Sequence, residues 1–143
     1  MLVEFALRLL PLMACVLILM DVAWIIFAWG TIQEATREGV RYGVTGASNG
    51  LTNAIQNVVV QHSVGFVSAS NAPALVAIKY YSPNDLSSPL PKSTPLRGGE
   101  VVQVTVSGLS LGSFGPIFRS TAPVVLTATS SDVMEPLPNP VTQ

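Results

Sequence analysis

From Leu9 to Ala28 the chain is an almost unbroken series of apolar side chains, with Asp21 the one charge inside it. A run of about 20 such residues, each rising about 1.5 Å in a helix, matches the roughly 30 Å of hydrocarbon in a bilayer. The pattern then changes without a break. Beyond Gly30, the positions Ile32, Ala35, Gly39, Tyr42 and Gly43 recur on one side at helical spacing, while Glu34 with Arg37 and Glu38 with Arg41 set opposite charges three apart. The spacing predicts one long helix over residues 1–45, membrane-spanning over about 9–28 and amphipathic afterwards. Pro11 removes one backbone hydrogen bond and predicts a kink or local gap near Leu7.

Val44 to Gly50 is rich in Gly, Ser and Asn and stops that helix. A second helix is expected over about Leu51 to His62, with Leu51, Ile55, Val58 and Val59 as its apolar stripe. Ser63 to Pro73 reads as a loop of small residues. Three strands are expected after it, at Leu75–Tyr81, Glu100–Ser107 and Val124–Val133. In the second of these, Val102, Val104 and Val106 face one way and Gln103, Thr105 and Ser107 the other. Ser82 to Pro95 holds four prolines and predicts an exposed extended loop. Leu109 to Ala122 offers an apolar tip at Phe114, Ile117 and Phe118, which either closes the core or presents a contact patch to another subunit. The fold class is α+β: the long helix, a small domain over 46–135 with a second helix and a short antiparallel sheet of about three strands, and a Pro-rich tail over 136–143.

Composition narrows the function more than it narrows the fold. At 143 residues the chain has room for one small domain beside the helix. Charged residues make up only 10% against 49% apolar, which suits lipid or close neighbours. The net charge of −1 and the scattered basic residues give no stripe that would follow a phosphate backbone, so nucleic acid is not an expected partner. A cleaved secretory signal would have a shorter apolar core, and the Leu12-Met13-Ala14-Cys15 lipobox look is followed by a further apolar run, so a retained anchor is the favoured reading. Arg8 can snorkel to the near interface. Asp21 either pairs with a neighbouring helix or belongs to a helix seated off-centre, so that the carboxylate reaches the interface; Trp24 and Trp29 point to an interface close by. The single histidine, His62, suits a helix end. No metal-ligand spacing, phosphate-cradling loop or nucleophile elbow is present in the sequence. Neither enzyme nor cofactor is expected.

Val3-Glu4-Phe5-Ala6-Leu7, the apolar run with its acid at Asp21, and Ala35-Thr36-Arg37-Glu38-Gly39-Val40-Arg41-Tyr42-Gly43 together resemble the TadE-like pilins and pseudopilins of tight-adherence systems. The acid stands fourth here where the family usually has it fifth after its cut, and Asp21 stands where Glu is more usual. The resemblance implies a bacterial prepilin handled by an inner-membrane prepilin peptidase and assembly machinery. It would be a single-pass protein with its C-terminal domain outside, later joining copies of itself or related pilins in an extracellular filament.

A helix drawn out of lipid must be covered at once, and the same helix of neighbouring subunits is the cheapest cover. Glu4, the charge at the leading end, would then pair with the terminal ammonium of an adjacent subunit, as the acid of related pilins does; the simpler reading is an acid favoured by the helix dipole. The competing class is a monomeric membrane-anchored periplasmic binding module that uses the Pro-rich loop or the Phe114–Phe118 tip.

Overall fold

The structure, a computed structural model, describes residues 2–45, 51–91, 97–112 and 123–135. Helix α1 runs from Leu2 to Thr45 as one continuous element that passes through Pro11. At 44 residues it is about 66 Å long. Helix α2 (Leu51–His62) packs against it, and one short turn, α3 (Ala72–Leu75), leads into the sheet. The strands are β1 (Val76–Ser82), β2 (Asp85–Pro89), β3 (Val101–Leu111) and β4 (Val124–Val133), all antiparallel in the order β2-β1-β3-β4.

The sheet therefore has four strands where the sequence suggests about three. The added strand, β2, lies inside the Pro-rich segment expected to be a loop. It is an edge strand, exposed at every position, and it pairs with β1 only at Tyr81–Pro89 and Ser82–Asp85. Proline is tolerated there because an edge has one side on which no N–H is needed. Leu75, expected to open the first strand, instead closes α3.

The middle strand also runs further than its simple alternation allows. Val102, Val104 and Val106 are fully buried, and then Leu109 and Leu111 are buried in the opposite phase. The shift comes from a bulge. Val106 pairs with Ala128 and Leu109 with Leu126, so β3 carries one residue more than β4 between them, and Gly108 takes it up at φ 79°. Without that extra residue both leucines would face solvent.

The core lies between this face of the sheet and the two helices. From α1 it takes Ala28, Ile32, Ala35 and Val40, from α2 Leu51, Ile55 and Val59, and from the sheet Tyr80 and the three valines. Tyr42, expected on the buried side of α1, is on the outside at 39% exposure; Thr36 and Val40 take the inner positions. Thr36 satisfies its buried hydroxyl by donating to the Ile32 carbonyl at 2.6 Å.

Gly39 and Gly43 set how closely the layers approach. A Cβ on Gly39 would lie 2.7 Å from Val59 Cγ2, and one on Gly43 would lie 3.0 Å from Ile55 Cδ1. The contacts of the two glycines also order the elements along α1. Gly43 faces Ile55 and Val102, while Gly39, one turn nearer the N-terminus, faces Val59 and Val104. Both α2 and β3 thus descend α1 towards its apolar end.

Candidate assembly and membrane surface

Helix α1 divides sharply at Asp21. Every described side chain from Glu4 to Met20 is exposed or half-buried, with Leu7 at 71% and Leu10 at 72% exposure. From Asp21 onward one side is covered by the domain. The uncovered stretch Glu4–Met20 is about 25 Å long at about 1.5 Å per residue, most of the thickness of bilayer hydrocarbon. The stretch expected to span lipid, 9–28, overlaps the covered part: Asp21 is 3% exposed and Ala28 is fully buried. An apolar rod this long, bare on all sides, is not a stable surface in water. By length and composition α1 can cross a membrane.

Asp21 marks the join between rod and domain. Next to it Trp24 stacks on Phe27 with centroids 5.9 Å apart, and Phe66, from the turn after α2, lies 5.5 Å from Trp24 and 6.2 Å from Phe27. Ser63 holds that turn. Its buried Oγ accepts from Val67 N–H at 3.2 Å and lies within donor reach of the Val60 and Val67 carbonyls at 2.9 and 3.0 Å. The turn leaves Val64 at φ 50° with its side chain 72% exposed.

Glu4 stands exposed in the first turn of α1. It is 17 positions from Asp21, about 25 Å along the axis, so the two acids named from the sequence do not form one site. Arg37 comes to 4.0 Å from Glu34, and Arg41 to 3.6 Å from Glu38. These exposed pairs add little to stability. Arg37 and Arg41 line one wall of a groove of about 360 Å³ between α1 and the β4 edge, whose other wall carries Ser130, Ser131, Asp132 and Glu135. The chain closes over this end through Glu135 N–H donating to Val44 O at 3.3 Å. Phe114, Ile117 and Phe118 lie outside the described residues.

Among the described residues no group of three or more His, Cys, Asp and Glu is placed to hold a metal. Cys15 is a free thiol on the bare rod. The Ser63–Val67 turn, absent from the candidate residues read from the sequence, carries the contact with Trp24. The signal for it was an absence: no charged residue occurs from Ser63 to Ile78.

No curated protein and no solved structure matches the chain. The resemblance read from Val3 to Leu7 and Ala35 to Gly43 is nevertheless found independently, because residues 1–41, which contain the whole bare rod and its first covered turns, match the family model described as TadE-like protein.

Proposed function

We propose that this chain is a structural, pilus-associated subunit of the tight-adherence type, held in the bacterial inner membrane by Leu2–Met20 and then packed by the same rod into an extracellular filament. The observation that carries this reading is the division of α1 at Asp21: a bare apolar rod on one side and a folded domain on the other. The TadE-like match over residues 1–41 falls on that rod and supports it. Its partners are then copies of itself or related pilins, together with a prepilin peptidase and an assembly machine. Surface attachment would be the task of the filament.

The rod meets two solvents in turn. In the bilayer its side chains face lipid; on extraction they face neighbouring rods, and the hydrophobic cost of about 25 cal/mol per Å² of exposed apolar surface makes the exchange obligatory. Glu4 is the leading charge of that rod and pairs with an adjacent subunit's terminal ammonium once buried. Glu4→Ala tests this. Membrane insertion is expected to be unchanged, while the amount of chain recovered in sheared surface filaments falls at least several-fold. A filament yield equal to wild type would contradict the pairing.

A further inference from the structure

Among the described residues, the domain places no Lys, Arg, Asp or Glu at the end nearest the rod. Among the described residues of the domain, the charged side chains are Lys79, Asp85, Arg97, Glu100, Asp132 and Glu135, and those of the covered part of α1 beyond Asp21 are Glu34, Arg37, Glu38 and Arg41. All lie towards the Thr45 end. β1 pairs Tyr81 with Val101 and Lys79 with Gln103, and Val102 meets α1 at Gly43. Towards Asp21 the described surface exposes apolar side chains instead. Trp24, Phe27 and Phe66 form one cluster, with Phe27 at 53% exposure. Val64 projects from the same turn at 72%, and Val124 and Val125 open β4 at 44% and 58%. Val124 pairs with Leu111, the last residue of the descending β3, which puts the start of β4 at the rod end of the domain.

Val64 is informative for a second reason. A β-branched residue at φ 50° pays a steric cost that glycine would avoid, and here that strain goes with a side chain turned outward rather than into the core. Gly65, its neighbour, has φ 87° and nothing within 4 Å of the Cβ position, so the turn is open on its outer side.

We propose that this end is a second lipid contact, a seat on which the domain rests in the outer interfacial zone of the bilayer before assembly. The inference depends on the reading of Leu2–Met20 as the membrane span. The span's far end is Met20, so Trp24 stands about one turn beyond the hydrocarbon, at the depth where an indole, with its apolar body and polar N–H, is favoured; Phe27, about two turns beyond, adds apolar area. A protein partner would need only the apolar patch. The lipid interface also accounts for the patch being continuous with the bare rod and for the described charges of the domain lying towards the other end.

The test uses full-length protein reconstituted in phosphatidylcholine–phosphatidylglycerol vesicles, on a Cys15→Ala background, with a nitroxide at one of three single substitutions: Leu12→Cys, Val64→Cys or Asn84→Cys. Collision with oxygen, which partitions into lipid, is compared with collision with a water-soluble nickel chelate. Leu12 is expected to be deep. Asn84, exposed in the β1–β2 turn at the distal end, is expected to be aqueous. Val64 is expected to be intermediate, with chelate collisions several-fold below those at Asn84. A Val64 label as open to chelate as Asn84, with Leu12 still deep, overturns the seat and leaves the span standing. A Val64 label shielded from both reagents shows a protein neighbour instead of lipid and also overturns the seat. An aqueous Leu12 removes the span and the seat together.

Discussion

Tyr80 places a phenol under the sheet, where the residue is 2% exposed and its hydroxyl has no hydrogen-bond partner of adequate geometry. Burial raises its pKa above the ordinary 10.0, and the nearby Thr52 hydroxyl, too poorly placed for a full bond, lowers it only in part. The sign of the linkage follows. Between the unfolded value near 10.0 and the higher folded value, the unfolded chain binds fewer protons, so stability falls as pH rises through that range and is fully present below it. Removing the hydroxyl removes both this pH dependence and an unsatisfied buried group. Tyr80→Phe is therefore expected to match or exceed wild-type thermal stability at neutral pH, and to lose less of it above pH ~10, measured by circular dichroism in detergent micelles. A large loss at neutral pH would show that Thr52 satisfies the hydroxyl after all. Nothing in the sequence distinguished Tyr80 from Tyr81: they alternate across the sheet, and only the placement of α2 decides which is covered.

Between elements, the distance from α1 to α2 is set by glycine. Gly39→Ala gains up to about 1 kcal/mol of helix propensity, but its methyl would sit 2.7 Å from Val59 Cγ2. The neighbour is a stiff, fully buried β-branched side chain. Overpacking of this kind costs about 1–3 kcal/mol, so the net effect is a loss of about 0–2 kcal/mol in chemical denaturation. Gly39→Ala with Val59→Ala should recover part of it, because the second change makes the room the first requires. A Gly39→Ala protein more stable than wild type would mean that the helices can separate without loss. Much at this scale was legible in the sequence. The period of Ile32, Ala35, Gly39, Tyr42 and Gly43 marked the covered side of α1 except at Tyr42, which is exposed, and the alternation of Val102, Val104 and Val106 marked the inner face of β3. What was not legible came from pairing across the sheet. The bulge at Gly108 exists only because β4 lies opposite with one residue fewer, and β2 forms only because β1 offers it a partner over a few positions. Neither leaves a periodic trace in its own segment.

The whole molecule is polarised along α1: a bare rod, a collar of Asp21 and the aromatic rings Trp24 and Phe66, and a domain whose described charges gather at the far end. The sequence conveyed the rod but displaced its limit, because apolar residues continue from the part that faces lipid into the part that faces protein. Val22, Ile26 and Ala28 look alike in composition, yet Ala28 is fully buried while Val22 and Ile26 are 45% and 62% exposed. Only the docking of the domain separates them. Asp21 is 3% exposed at the point where the domain begins, so its carboxylate is covered within the chain itself.

The claim on which the functional account rests is that Leu2–Met20 exchanges lipid for copies or relatives of itself. It is tested most directly by shearing surface material from cells, purifying it without detergent, and examining it by negative-stain electron microscopy with an antibody to the domain. The account predicts long particles that carry the label along their length or at an end. Chain that stays in the membrane fraction and disperses only in detergent, as monomers, would contradict it.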